Sequence, residues 1–199
     1  MNTETPLNKI KTLLQRLPGI GEKSATRLSY YLINSPVSFV ENLALTMIEV
    51  RKNIKRCKIC FNLTENDYCS ICTNYNRDKS IICVVEEPQD LEAIEKTRFY
   101  TGSYHVLHGS ISPLNGIQPE NLTIKELINR VETENIKEII FATNHNVEGD
   151  TTAMYIADLL QQSEVKITKI ASGVPAGGDI EYIDQLTLGR ALNDRRNIK

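Results

Sequence analysis

Four cysteines in two tight pairs constrain this chain more than any other feature: Cys57-Lys58-Ile59-Cys60, eight intervening residues, then Cys69-Ser70-Ile71-Cys72. Two C-x2-C knuckles supply four thiolates, the closed tetrahedral set of a structural zinc, with no position left open for catalysis. One structural Zn2+ per chain is therefore expected, an iron–sulfur cluster or a redox pair being the alternatives for the same residues. Arg56 to Lys79 spans 24 residues. That is too few for an apolar core, so the metal should supply much of this module's folding energy. Cys83 stands apart inside the apolar run Ile81-Ile82-Cys83-Val84-Val85 and reads as a small buried hydrophobe.

With 199 residues and 41% hydrophobic content, the chain can bury a core and could form one domain or two small ones. Its net charge of −2 hides an asymmetry. Residues 1–79 carry 12 Lys+Arg against 7 Asp+Glu, a net of +5, whereas residues 80–199 carry 11 against 18, a net of −7. A basic front and an acidic back suggest phosphate contact in the first part and protein contact in the second. Residues 1–6 are polar and no apolar leader follows them, and the longest apolar runs are strand-length, far short of the ~20 residues a bilayer needs. A cytoplasmic protein without membrane contact is expected, and in a reducing compartment clustered cysteines point to metal rather than to disulfides.

Leu7, Ile10, Leu13, Leu14 and Leu17 recur at helical spacing until Pro18-Gly19 ends the helix. A second helix starts after Gly21, with Ala25, Leu28 and Leu32 as its inward stripe. A third runs from Pro36, as its first helical residue, to Arg51, and the basic stretch Arg51, Lys52, Lys55, Arg56, Lys58 then leads into the cysteines. Beyond Arg77 short apolar strands (81–85, 104–107, 139–142, 165–170) alternate with helical patterns (88–97, 123–133, 150–162), which predicts an α/β fold with a mostly parallel sheet. Residues 109–120 hold two glycines and two prolines and read as a long surface loop. A Gly/Pro-rich turn opens the tail at Gly173, and a short helix near 187–193 closes it.

Leu17-Pro18-Gly19-Ile20-Gly21 lies between two predicted helices. Two glycines allow a tight turn and leave the N–H groups of the second helix open to a phosphate. Lys23 and Arg27, four apart, add charge beside them. This reads as a helix-hairpin-helix element gripping the DNA backbone without reading sequence, a plain helical hairpin with a glycine turn being the alternative.

A third constellation is acidic. Val85-Glu86-Glu87-Pro88-Gln89-Asp90 follows the first strand of the α/β region, and its Glu-x3-Asp spacing resembles the first motif of the Toprim domain of primases and topoisomerases. In those enzymes a second strand end supplies an Asp-x-Asp pair, and the carboxylates together hold magnesium. Here that segment reads Thr143-Asn144-His145-Asn146-Val147-Glu148-Gly149, with two amides where the aspartates belong. Mg2+ should bind such a site weakly. His105, His108 and His145 lie in no local nucleophile pattern and read as surface or core residues.

Taken in order, helix-hairpin-helix, four-cysteine zinc finger, Toprim segment and the tail Gly173-Val174-Pro175-Ala176-Gly177-Gly178-Asp179-Ile180-Glu181-Tyr182 resemble the RecR family of bacterial recombination mediators along the whole chain. Ser112-Pro113-Leu114-Asn115-Gly116 and Val147-Glu148-Gly149 add to the likeness, while His145 departs from the proline common in the family. The resemblance implies four regions: 1–53 helix-hairpin-helix, 54–78 zinc finger, 79–172 Toprim and 173–199 an oligomerisation segment. It implies DNA contacts at Gly19, Gly21, Lys23 and Arg27, zinc ligands at Cys57, Cys60, Cys69 and Cys72, no catalytic residue, and a partner-docking surface at Glu86, Glu87, Asp90 and Glu148. It further implies a ring-like homotetramer, a dimer of dimers, acting with RecO and RecF at the nucleoid to help RecA replace single-strand-binding protein at gaps in DNA. Two readings compete with this non-enzymatic clamp: a small metal-dependent Toprim enzyme, nuclease or primase-like, and a zinc-dependent interaction module without a nucleic-acid role.

Overall fold

Three helices make up the first of two structural units, Met1–Ile54: α1 (Pro6–Gln15), α2 (Glu22–Asn34) and α3 (Val37–Asn53). The computed structural model describes residues 5–171, 173–174, 177–193 and 195. Pro175 and Ala176 of the tail motif, and the last residues of the tail, lie outside the described residues. Thr5 starts α1 by accepting a hydrogen bond from the Asn8 N–H at 3.3 Å, and Pro6 fills the first turn, where a missing N–H costs nothing. After Gln15 the chain reverses through a turn in which Gly19 has φ +79°, a left-handed conformation that favours glycine. α1 and α2 then pack on each other. Ala25 and Ser29 are fully buried and the Ser29 hydroxyl donates to the Ala25 carbonyl at 2.8 Å, while Leu28 and Leu32 are only half-buried. Pro36 is the cap of α3 rather than its first residue, because its ψ of 140° is extended.

The second unit, Lys55–Lys199, begins with the antiparallel pair β1 (Lys55–Arg56) and β2 (Leu63–Thr64) and the single-turn α4 (Ser70–Thr73). Then come β3 (Asp78–Val85), α5 (Pro88–Thr97), β4 (Gly102–Val106), α6 (Ile124–Thr133), β5 (Glu138–Phe141), α7 (Val147–Leu159), β6 (Lys166–Lys169) and α8 (Gln185–Asn193). The four longer strands form one parallel sheet in the order β4-β3-β5-β6, the architecture expected from the alternating pattern. Alternation within β3 builds two cores. Ile82 and Val84 pack with Ile139 and Phe141 against α6 and α7; Cys83 and Val85 pack with Tyr104, Val106 and Leu91 on the other face. The segment expected as a loop at 109–120 contains two short 3-10 turns, each opened by a proline, Pro113 and Pro119, and a bridge between Ser112 and Ile117. No helix among the described residues is long and apolar enough to cross a membrane.

Beneath the sheet edge, His105 is fully buried. Its Nε2 lies 2.8 Å from the Thr123 carbonyl, and its Nδ1 lies 3.4 Å from an Arg130 guanidinium nitrogen. Arginine can only donate, so Nδ1 accepts and the ring proton sits on Nε2. Burial first, then the nearby Arg130 charge, pushes the imidazole down to about 3. An unfolded histidine takes up a proton near its ordinary value of about 6.5, so the stability contributed by this neutral ring is fully present above that pH and is lost as pH falls toward about 3. A slope of about 1.4 kcal/mol per pH unit is expected from this one group below about pH 6. Urea unfolding of the parent chain and of His105→Gln across that range should show a shallower pH dependence in the variant; equal slopes would remove the assignment.

Candidate nucleic-acid interface and metal centre

The hairpin turn ends at Gly21, the N-cap of α2, and no side chain caps the first turn of that helix. Its leading N–H groups are therefore available to an anion, with the helix dipole in support. Lys23 and Arg27 are both exposed, one turn apart on α2. The two glycines differ. Gly19 needs its left-handed φ, whereas Gly21 has φ −82° and a side chain there would meet nothing within 4 Å. Gly21 thus leaves open space beside the uncapped helix end rather than making the turn.

The four cysteines converge as their spacing predicts. Their sulfur atoms lie within 4.8 Å of one another, no disulfide joins them, and Cys57, Cys60 and Cys69 are buried. The Cys69 N–H points at the Cys57 sulfur at 3.3 Å, and the Cys60 and Cys69 sulfurs are 3.5 Å apart. Thiols this crowded cannot ionise independently. Hydrogen bonding with Cys60, then with Cys72, pushes Cys69 far below the ordinary thiol range; hydrogen bonding with Cys69, then Cys72, together with burial, pushes Cys60 up. A soft dication removes that conflict by accepting all four sulfurs as thiolates, so the donor set fits zinc. Cys83 is buried on the sheet, where desolvation pushes its thiol up to about 12, and it takes no part in the cluster.

At the carboxyl ends of the strands, register decides what meets. Val84 pairs with Phe141, so Glu86 and Asn144, just beyond each, stand side by side. Glu86 is only 5% exposed, and both its oxygens are occupied: the Asn144 backbone N–H donates to one at 2.8 Å and the Asn144 amide to the other at 2.7 Å. Asn146 caps α7 by accepting from the Gly149 N–H at 2.8 Å, which starts that helix at Val147, three residues earlier than the apolar pattern predicts. Glu87 and Asp90 form a capping box at the start of α5, each side chain accepting from the other's backbone N–H. Glu148 lies half-buried in the first turn of α7. The predicted docking residues therefore gather at one end of the sheet, but Glu86 lies beneath that surface, held by Asn144.

Gly149 has a role that sequence reasoning misses. A β-carbon there would come within 2.2 Å of the Asn144 carbonyl and 2.7 Å of a Glu86 oxygen, so only glycine lets α7 start this close to the buried pair. A glycine inside a helix's first turn, where it weakens the helix, is the signal that could reveal it. His108 is another such case: its Nε2 lies 2.8 Å from the Phe61 carbonyl and ties the cysteine knuckle to the sheet.

A helical hairpin, a four-cysteine knuckle and a parallel sheet ending in a buried carboxylate define a class of zinc-finger Toprim proteins with an added helix-hairpin-helix. Family models match in that order: the helix-hairpin-helix of RecR over residues 8–51, the four-cysteine zinc finger domain of RecR over 54–74, the Toprim domain over 80–171 and the C-terminal region of RecR over 173–196. The chain is 48% identical over 198 residues to the protein named Recombination protein RecR of Desulfitobacterium hafniense (strain Y51), covering 100% of this chain and 98% of that relative. A protein of the same name from Pelotomaculum thermopropionicum is 48% identical over 194 residues, 98% of this chain and 97% of its own length. The chain belongs to the RecR family.

Asn144→Asp tests the electrostatics of the Glu86 pair. It removes one donor from the nearly buried Glu86 and sets a second carboxylate, on an exposed residue, against it, a loss of about 2 kcal/mol in the absence of divalent metal. Thermal unfolding with and without millimolar Mg2+ should show the variant, but not the parent, regaining stability with the metal. A variant as stable as the parent would mean that the amide does not satisfy Glu86.

Proposed function

We propose that this chain is a non-enzymatic DNA-binding recombination mediator in DNA repair, a clamp-like homo-oligomer that works with RecO and RecF to help load RecA on gaps coated by single-strand-binding protein. The observation that carries the DNA-binding part is the uncapped start of α2 with Lys23 and Arg27 exposed beside it, an arrangement suited to gripping phosphate. Membership of a family whose relatives are named recombination proteins supports the repair setting. The four regions 1–53, 54–78, 79–172 and 173–199 divide the work in this reading. The first holds DNA through Gly19, Gly21, Lys23 and Arg27, and the second holds one structural Zn2+ through Cys57, Cys60, Cys69 and Cys72.

The third region presents an acidic docking face around Glu87, Asp90 and Glu148, with Glu86 supporting it from below. Such a face suits a basic partner protein and repels the DNA backbone. Assembly into a tetramer draws support from apolar side chains left exposed on a single chain, Leu45 and Ile48 on α3 and Leu186 and Leu192 on α8. The metal-dependent enzyme reading meets an amide donor where a cation would need an anionic oxygen, and nothing in the geometry favours it.

Exchanging both hairpin cations, Lys23→Glu with Arg27→Glu, should weaken DNA binding for all sequences alike and flatten its salt dependence. The slope of log K against log salt should fall by roughly 0.7–0.9 for each phosphate that is no longer neutralised. Unchanged affinity would place the DNA site elsewhere. Cys69→Ser should release zinc and lower the melting temperature, read by metal analysis beside calorimetry. Full metal content in that variant would refute the four-thiolate site.

A further inference from the structure

A cavity of about 490 Å3 opens between the cysteine knuckle and the end of α6, at the starts of β3 and β4. It lies at the opposite end of the sheet from Glu86: Lys79 is near the start of β3 and Glu86 just past its end, which puts them about 23 Å apart along the strand at about 3.3 Å per residue. Its lining includes Ile59, Ile71 and the cluster residue Cys72 from the knuckle, three cationic residues, Arg77, Lys79 and Arg130, and the carboxylate Glu134. The cations are not equivalent. Arg77 is paired with Glu95 and also donates to the Gly102 carbonyl at 2.9 Å. Arg130 is paired with Glu134 at 3.3 Å and donates to the Tyr104 carbonyl at 2.9 Å. Lys79 rests over the Tyr75 ring, its ammonium 5.7 Å from the centroid, and no carboxylate among the described residues lies within ion-pair distance of it.

Lys79 is thus the lining cation left without a carboxylate partner among the described residues, and beside the aliphatic Ile59 and Ile71 it suits a singly charged anion attached to an apolar group. Among the described residues no aromatic ring lines the cavity to stack on a nucleobase, and a doubly charged phosphate would exceed the charge that Lys79 offers. The volume falls in the range of small-ligand sites and is large enough for one bulky side chain. We propose that this cavity binds a carboxylate carried on an apolar group, with Lys79 as its charge partner and Ile59 and Ile71 as its apolar seat. Two sources carry that chemistry, a free apolar carboxylic acid and the terminal carboxylate of a peptide ending in a large apolar residue.

Titration calorimetry on the full chain distinguishes them, using three probes: hydrocinnamate, acetyl-Gly-Gly-Phe with a free carboxylate, and the same peptide amidated. Saturable binding of either free acid, with no binding of the amide, is the expected result, and which acid binds more tightly identifies the source. Lys79→Glu should weaken that binding by about tenfold or more, the scale of one charged contact, while Lys79→Arg retains it. Lys79 is exposed, so neither exchange disturbs the core. Equal binding of amide and acid, binding indifferent to Lys79→Glu, or no heat from any probe at millimolar concentration would each overturn the proposal.

Discussion

A parallel sheet of four strands leaves two edges unpaired, and in this chain one of them, β4, is closed by the metal module. The Val106 N–H donates to the Cys60 carbonyl at 2.8 Å, His108 reaches the Phe61 carbonyl at the same distance, and the Phe61 ring packs against His105 with centroids 5.2 Å apart. Phe61 and Ile71 of the knuckle also join the core formed by Cys83, Val85, Tyr104 and Val106. These interactions make one object of a cysteine loop that has no core of its own and a sheet edge that would otherwise invite pairing with another chain. The cavity beside α6 exists for the same reason: it is what remains where the knuckle and the helix fail to meet.

At the other end of the strands the same sheet holds a carboxylate at the place where the Toprim enzymes it resembles hold metal, and Asn144 gives each of its oxygens a hydrogen bond. Mg2+ demands several oxygen donors in octahedral geometry and gives up its water reluctantly. Asn144 instead turns two N–H groups toward Glu86, and the Asn146 side chain is committed to the α7 terminus. Each amide has a structural duty, Asn144 at Glu86 and Asn146 at the start of α7. Glu87 and Asp90 follow the same logic, since their carboxylates fix the start of α5 while leaving negative charge at the surface.

How far the sequence can be read depends on how local each feature is. The cysteine pairs, the left-handed turn at Gly19 and the strand–helix alternation are written within a few residues, and the structure has each of them. Glu86, expected at the surface, is buried because of Asn144, 58 residues away, an interaction that follows from strand register and leaves no trace in either segment alone. The two-residue strands β1 and β2 are too short to carry a period, and the early start of α7 depends on one capping amide. A pair of glycines predicts a turning role for both Gly19 and Gly21; the ordinary φ of Gly21 shows that only open space is needed there.

Counting charge along the chain hides its most useful property, which is pairing. Every ion pair among the described residues lies in the second unit: Lys55 and Lys58 share Asp67, Arg77 meets Glu95, Arg130 meets Glu134, Lys166 meets Glu138 and Lys169 meets Asp150. In the first unit Lys23 and Arg27 have no such partner among these pairs. A polyanion approaching the hairpin therefore meets positive charge that need not first be detached from a carboxylate, and it gains counterion release without breaking an internal ion pair. The second unit commits six of its cations to such pairs, and of the three that line the cavity only Lys79 is outside them.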